Sequence, residues 1–168
     1  IQSFATVDLR SEQNHGLRDQ FTRDSQAFVG EPSTRDRWVH LFLNGQYWGL
    51  YMLREDVTAH HATATWGGSP DDYDVLKHSD DYGYVVAQGD GDEWLQLWQA
   101  IADTELTDDE FATVTDNTDL HSLATFMLIN IATGNLDATP SVLLDDLRAN
   151  NWQAVRGNGQ LFQFFLDD

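Results

Sequence analysis

Five residues in the C-terminal third of the chain carry side chains suited to phosphoryl transfer. Asp137 follows an apolar helix-like segment, Asn150 and Asn151 come next, and Asp167 and Asp168 close a strand-like run. In phosphoryl transfer one carboxylate orients or deprotonates the attacking hydroxyl, while an amide oxygen and a second carboxylate hold Mg²⁺ against the phosphates. The order Asp, Asn, hairpin, Asp therefore suggests a phosphotransfer site, although the same residue types are also ordinary caps and turns.

Lys77 is the only lysine in a chain that has nine Lys and Arg residues against 28 Asp and Glu residues. Phosphotransferases of the protein-kinase type use a lysine to hold the nucleotide phosphates. We therefore interpret Lys77 as a candidate phosphate contact, and the alternative is a solvated lysine at a strand end. Asp74, Asp80 and Asp81 are close in sequence and would favour its charged form.

The composition limits the classes to which the protein can belong. A net charge of −19 and a pI of about 4.2 disfavour nucleic acid and anionic membranes as partners. The absence of cysteine excludes disulfides, thiolate nucleophiles and Cys-ligated zinc. No apolar run approaches the roughly 18–20 residues of a membrane span. We expect one domain, and the start at Ile1 and the end within a strand-like run suggest an excerpt truncated at both ends.

The elements that must position these residues begin with a hairpin. Residues 37–56 form two apolar, aromatic-rich runs around Asn44-Gly45, a dipeptide typical of two-residue hairpin turns. Large side chains alternate onto both faces of the first run. This pattern predicts a hairpin that is central in a sheet and covered on both faces.

Helical periodicity marks the remaining segments. A helix is expected over 17–30, with Leu17, Phe21, Phe28 and Val29 on roughly one face. Further helices are expected over 92–103, from a capping box at 107–110, and over 119–134, with a second hairpin over 152–168. Strands and helices mixed in this way predict an α+β fold.

Several of these segments occur in an order that resembles a known family. They are LRSEQNHGLRDQFTRD (9–24), VHLFLNGQYWGLYMLRED (39–56), GGSPDDYDVLK (67–77), INIATGNLD (129–137) with NNWQAVR (150–156), and GQLFQFFLDD (159–168). Together they resemble the CotH kinase family, whose most specific block is the NGxYxGxYxLxE hairpin. The resemblance implies an atypical protein-kinase-like fold, ATP and Mg²⁺ or Mn²⁺ as cofactors, a protein substrate, and an extracellular or cell-surface location.

The resemblance also implies roles for individual residues. Asp137 corresponds to the catalytic carboxylate and Lys77 to a phosphate contact. Asn151, with Asn150 as the alternative, corresponds to the amide beside the metal. Asp168 corresponds to the metal-binding carboxylate at the end of the last strand.

Three further charged residues fall within the resembling blocks. Glu55 ends the hallmark strand, where it is expected to help bind the nucleotide by pairing with Lys77 or with an arginine. Arg10 and Arg18 lie in the first block, and the sequence leaves open whether each is structural or faces phosphate.

Departures from the family pattern leave a second function open. Asp167 stands where the family has Trp, or the motif is shifted by one residue. The segment between Asp137 and Asn150 is longer than expected, with SVLLDDL inside it. The chain also ends before the second acidic residue of the metal motif. The alternative is a catalytically degenerate kinase-like module, serving as a binding or structural part of a larger extracellular or surface protein.

Overall fold

The structure, a computed structural model, describes residues 6–11, 17–79, 81, 83–101, 105–139 and 150–166. Asp167 and Asp168 lie outside these ranges, as does most of the segment between Asp137 and Asn150. The elements are β1 (Val7–Arg10), α1 (Arg18–Phe28), β2 (Asp36–Leu43), β3 (Gln46–Glu55), α2 (Ala59–Trp66), β4 (Tyr73–Lys77), β5 (Val85–Gln88), α3 (Asp92–Ala100), α4 (Asp108–Asn117), α5 (Leu120–Thr133), β6 (Trp152–Gly157) and β7 (Gln160–Leu166).

The described strands form two antiparallel sheets, so the predicted α+β class is confirmed. A three-stranded sheet has the order β1-β3-β2, and a four-stranded sheet has the order β5-β4-β6-β7. Helices pack on both faces of the four-stranded sheet. Residues from α3 and α5 lie on one face, and residues from α2 lie on the other. Alternation along β4 and β7 separates these two cores, because Leu76 and Phe164 join one while Val75 and Phe165 join the other.

The predicted hairpin is confirmed as β2 and β3, joined by Asn44 and Gly45, both at positive φ. The prediction that it is covered on both faces is wrong. Trp48 is 60% exposed, and Phe42 is equally exposed. The reason is that neither core cluster of the described residues includes a residue of β2 or β3, so no packed layer covers the half nearest the turn.

Helix α1 forms where it was predicted, but its apolar face does not reach the core. Phe28 is 90% exposed and Phe21 is 61% exposed, whereas Arg23 and Gln26 are buried. Arg23 Nε donates to Asp36 Oδ2 at 2.8 Å, and its Nη2 contacts the Met52 sulfur. Polar contacts to β2 and β3 therefore fix the orientation of α1 and leave its aromatic side chains at the surface.

Gln26 ties α1 to β7, which is the outer strand of the four-stranded sheet. Its side-chain amide donates to Phe164 O at 2.6 Å, and its oxygen accepts from Leu166 N at 3.1 Å. Ser122 of α5 accepts from Phe164 N at 2.9 Å. These side chains satisfy backbone groups that an edge strand otherwise leaves unpaired.

The predicted capping box is confirmed at the start of α4, where Thr107 and Glu110 bond to each other's backbone. Asp119 caps α5, and Gly134 ends it in the left-handed conformation. Among the residues that the structure describes, the helices are too short or too polar to cross a bilayer.

Candidate active site

Asp137 is positioned by a polar turn that follows directly from the end of α5. Gly134, at φ 64°, ends the helix and reverses the chain. Asn135 Nδ2 donates to Asn130 Oδ1 at 3.2 Å, and Asn135 Oδ1 accepts from the Asp137 backbone N–H at 3.2 Å. The buried side chain of Asn130 therefore anchors the turn that presents Asp137.

Two consecutive asparagines hold the Asp137 carboxylate. Asn150 Nδ2 donates to Asp137 Oδ1 at 2.8 Å, and Asn151 Nδ2 donates to Asp137 Oδ2 at 3.1 Å. Both amides also donate to the Asp137 carbonyl oxygen. Because a donor reaches each carboxylate oxygen, the orientation of the group is fixed.

The asparagine pair is itself fixed to neighbouring backbone. Thr139 Oγ1 donates to Asn150 O at 2.8 Å and accepts from Asn150 N at 3.1 Å. Asn151 has φ 49°, a conformation that asparagine tolerates better than most residues, and it leads directly into β6. The structure thus brings together Asp137, Asn150 and Asn151, three of the residues predicted from the sequence.

Asp168, the predicted metal-binding carboxylate, lies outside the described residues. The described part of β7 ends at Leu166, which pairs with Trp152, the residue after Asn151. The end of β7 therefore lies beside the start of β6.

A cleft of about 570 Å³ opens beside Asp137 and Asn151. Helix α1 forms one wall and the end of α5 with the following turn forms the other. Its lining residues are Arg18, Asp19, Phe21, Thr22, Ala132, Thr133, Gly134, Asn135, Leu136, Asp137 and Asn151. The cleft thus combines an apolar surface with one oriented carboxylate, and Arg18 is the single basic residue among these described lining residues.

Lys77 lies outside the lining of this cleft, on the α2 side of the four-stranded sheet. Its Nζ contacts Asp56 Oδ1 at 2.6 Å, and both side chains are mostly buried. In the register of β4 and β6, Lys77 is opposite Gln153, two positions from Asn151. Two strand positions correspond to about 7 Å, so Lys77 and Asn151 belong to the same end of the sheet.

Glu55 pairs with Arg35, which is the arginine alternative of the sequence prediction. Arg35 Nη2 donates to Glu55 Oε1 at 2.6 Å, and Arg35 Nε donates to Glu55 Oε2 at 2.9 Å. The Arg35 backbone N–H adds a third bond at 2.8 Å. Burial raises the pKa of Glu55, but the hydrogen bonds from Arg35 outweigh burial, so the pKa lies below its usual value.

His61 of α2 completes this charged group. Its ring packs edge-on against Phe165 with centroids 5.7 Å apart. Burial is the main cause that lowers the pKa of His61. The charge of Glu55 opposes this effect, while that of Arg35 adds to it.

Sequence reasoning missed Asp56 and Arg35, the partners of Lys77 and Glu55. Asp56 follows Glu55 directly in the sequence. The residue types alone gave no reason to choose Asp56 rather than Glu55 as the partner of Lys77. Arg35 is 20 residues before Glu55 and precedes β2. Only the antiparallel pairing of β2 with β3 brings it alongside.

Oxygen ligands suited to a divalent ion occur in two places among the described residues. At the cleft, Asp137 and Asn151 carry carboxylate and amide oxygens, and the buried Asn150 beside them carries another amide oxygen. Mg²⁺ and Mn²⁺ prefer such hard oxygen atoms, so the residue types present fit such an ion. Elsewhere, Asp74, Asp90 and Glu93 bring carboxylate oxygens within 4.8 Å of one another.

The second group is partly neutralised by the protein itself. Arg156 Nη1 lies 2.7 Å from Glu93 Oε1, and this contact lowers the pKa of Glu93. Burial raises the pKa of Asp74. The group therefore has less capacity for a cation than three free carboxylates would have.

Comparison with known protein families gives a match. The model of a family described as CotH kinase protein matches residues 11–156, which is most of the chain. The matched range includes Asp137 and both asparagines, together with Lys77 and Glu55. A search of curated proteins gives no match.

Proposed function

The chain belongs to the CotH kinase protein family, and on that basis we propose that it is an atypical protein kinase. It transfers the γ-phosphoryl group of ATP to a hydroxyl of a protein substrate with the help of Mg²⁺ or Mn²⁺. The proposed fold is kinase-like, and the proposed location is extracellular or at the cell surface. The observation that carries the proposal is the Asp137 carboxylate, held by two asparagine amides on the wall of a 570 Å³ cleft.

Asp137 acts as the catalytic carboxylate in this proposal. The acceptor hydroxyl oxygen forms a bond to the γ-phosphorus as the bond to the bridging oxygen of ADP breaks. The hydroxyl proton passes to Asp137, and ADP departs with the bonding electron pair. The bonds from Asn150 and Asn151 fix the carboxylate beforehand, so it needs no reorientation during the reaction.

The metal supplies charge neutralisation for the phosphates when it is bound. Asn151 and Asp168 are the proposed metal-side residues, and Asn150 is the alternative amide. The amide nitrogens bond to Asp137, so in this proposal the amide oxygen is the atom that would serve as the metal ligand. The set combines carboxylate and amide oxygens, as expected for a hard divalent ion.

Lys77 and Glu55 are proposed as the nucleotide-binding pair. Lys77 ends β4 of the four-stranded sheet, and Glu55 ends β3 of the three-stranded sheet. Arg35 fixes Glu55 at the end of β3, and the next residue, Asp56, holds the Lys77 ammonium at 2.6 Å. The two adjacent ion pairs therefore set the position of Lys77. A lysine side chain is long enough to reach phosphates bound near Asn151, two strand positions away.

A second candidate is a kinase-like module that binds a partner without catalysing phosphoryl transfer. The placement of Lys77 favours it, because Lys77 is paired with Asp56 and does not line the cleft that holds Asp137. The two candidates differ in whether phosphate is transferred, so one experiment separates them.

The test combines nucleotide binding with transfer on the full chain. The melting temperature is measured with ATP and Mn²⁺, and phosphate incorporation into a serine-containing peptide library is followed by mass spectrometry. We expect a nucleotide-dependent rise in melting temperature and transfer that is lost in Asp137→Asn. A rise without transfer in the parent favours the second candidate. Neither a rise nor transfer would overturn the kinase proposal.

A further inference from the structure

Arg10, the last residue of β1, and Arg18, the first residue of α1, have different surroundings. Arg10 Nη1 lies 3.6 Å from Asp19 Oδ2, and the Asp19 side chain is almost fully buried. Arg18 is exposed, lines the cleft, and forms no ion pair with any residue that the structure describes. The structure thus separates two residues that the sequence left equivalent. Arg10 has a structural contact, and Arg18 is part of the cleft wall.

The charges around the cleft distinguish Arg18 from the other lining residues as a contact for an anion. The protein carries a net charge of −19, so its overall field repels an anion. Among the described residues that line the cleft, the acidic residues are Asp19 and Asp137. Arg10 is close to the first of these, and the asparagine pair binds the second. Among the described lining residues, Arg18 is therefore the one that offers positive charge to an anionic ligand.

We propose that Arg18 binds the phosphates of the nucleotide, a role that nothing in the family match assigns. This inference rests on the proposed kinase function, since it takes the cleft to be the nucleotide site. A guanidinium offers two parallel N–H donors to phosphate oxygens, which an ammonium group cannot do. Phe21 lies three positions farther along α1, so it is on the same side of the helix and gives the cleft an apolar surface beside the cation.

The position of Lys77 does not make a phosphate contact from Arg18 redundant. Its ammonium is engaged by Asp56, and Lys77 is not part of the cleft lining. A phosphate group beside Asp137 therefore has Arg18 as its nearest basic wall residue. Lys77 and Arg18 then contact the phosphates from the sheet side and the α1 side respectively.

The test compares phosphate-bearing ligands with a ligand that lacks phosphate. Binding of ATP, ADP and adenosine to the full chain is measured by titration calorimetry in the presence of Mn²⁺. Arg18→Gln should weaken ATP binding by about tenfold to a hundredfold, the range expected for charge-assisted hydrogen bonds. Adenosine affinity should change by less than about twofold, because adenosine has no charge for Arg18 to contact.

Arg37→Gln is the matched control, because Arg37 is an exposed arginine of β2 that does not line the cleft. It makes the same change in net charge and should leave ATP affinity within about twofold of the parent. Arg18→Lys keeps the charge without the paired donors and should give an intermediate loss. The affinity of the parent for ATP should also fall more steeply with salt than that of Arg18→Gln, a difference that a purely structural role would not produce.

The outcomes separate this inference from the function on which it rests. If the parent binds ATP and Arg18→Gln binds it equally well, the assignment of Arg18 is overturned and the kinase proposal stands. If the parent binds no ATP at all, the kinase proposal is overturned, and the assignment of Arg18 that rests on it is overturned with it. An equal loss of ATP and adenosine binding in Arg18→Gln would mean a structural effect and would also overturn the assignment. Matching melting temperatures of parent and variant without ligand establish that both are folded.

Discussion

Lys77 donates to Asp56 and not to Glu55, although Glu55 ends the most distinctive sequence block of the chain. The distance from Lys77 Nζ to Asp56 Oδ1 is 2.6 Å, while Glu55 receives two side-chain bonds from Arg35. Adjacent carboxylates at the end of β3 therefore serve different cations. Asp56 holds the lysine, and Glu55 holds the segment that precedes β2.

The first prediction concerns the role of this lysine. Lys77→Ala should abolish the rise in melting temperature that ATP and Mn²⁺ produce in the parent, because a phosphate contact is lost. The unliganded protein should lose only about 1 kcal/mol of unfolding free energy, since a partly exposed ion pair contributes little. Differential scanning fluorimetry measures both effects. Asp56→Ala is the control: it removes the same ion pair but keeps the lysine, so it should keep the response to ATP. A retained response to ATP in Lys77→Ala would contradict the assignment.

The second prediction concerns the catalytic carboxylate. Asp137→Asn keeps the size of the side chain but removes its ability to accept a proton. The rate of phosphate transfer should fall by about 10²- to 10⁴-fold, the usual contribution of a positioned acid or base. Thermal response to ATP and Mn²⁺ should persist. Transfer at more than a tenth of the parent rate would show that Asp137 is not the catalytic group.

The position of Asp137 at the exit of α5 could be predicted from the sequence, because it depends on local turn chemistry. Gly134 ends α5 and Asn135 forms a turn with the Asp137 backbone, and both effects act over a few residues. The meeting of Asn150 with Asp137 was suggested by the family pattern. Asn150 lies 13 residues beyond Asp137, and residue types alone do not determine that the two side chains meet.

The orientation of α1 was not predictable by the same reasoning. Periodicity placed Phe21 and Phe28 on a common face, and an apolar face ordinarily packs inward. Here the polar face packs inward, because Arg23 meets Asp36 and Gln26 meets Phe164, 138 residues away in sequence. Contacts at that separation depend on the complete topology, which residue spacing does not reveal.

The third prediction concerns the buried ion pair between α1 and β2. Arg23 and Asp36 are each almost fully buried, with the charged atoms 2.8 Å apart. Asp36→Ala should lower the free energy of unfolding by about 3–5 kcal/mol, because it leaves a buried guanidinium without its carboxylate. Urea denaturation measures the change. The double variant Arg23→Met with Asp36→Leu should recover most of the loss, and a double variant as unstable as Asp36→Ala would contradict this account.

The fourth prediction concerns pH dependence through His61. Because the folded-state pKa of His61 lies below its usual value of 6.5, the unfolded chain binds more protons just below that pH. Its contribution to stability is therefore complete above pH 6.5 and decreases as the pH falls toward the folded pKa. His61→Phe should flatten the dependence of the urea midpoint in the range just below pH 6.5. His60→Phe, at the exposed neighbouring position, is the control and should leave the slope unchanged.

Glu55 adds a separate effect at lower pH. Its folded-state pKa lies below its usual value of 4.5, so its contribution is present above that pH and is lost as the pH falls through the folded value. Glu55→Gln should remove this acid-induced loss. It should also steepen the slope due to His61, because the Glu55 charge that opposes the lowering of the His61 pKa is then absent. His61→Phe therefore tests the range just below pH 6.5, and Glu55→Gln tests the range below pH 4.5. A single variant that abolished the pH dependence in both ranges would refute the separation of the two effects.

The fifth prediction concerns Gln26, which bonds to the outer edge of β7. Its amide donates to Phe164 O and its oxygen accepts from Leu166 N, at a fully buried position. Gln26→Ala should lower the free energy of unfolding by about 2–4 kcal/mol, because two buried backbone groups lose their partners. The amide proton of Leu166 should exchange with solvent faster in this variant. Hydrogen exchange followed by mass spectrometry detects that change.

Gln26→Glu provides a sharper version of the same test. At neutral pH a carboxylate keeps the bond from Leu166 N but places negative charge against the Phe164 carbonyl oxygen, which has no proton to offer. Stability should therefore drop at pH 7 and recover partly on acidification, when the protonated carboxyl donates to that oxygen. Gln96→Glu, at an exposed position of α3, should show no such recovery. If Gln26→Glu behaved like this control, the amide would not be what holds the end of β7 beside Asn151.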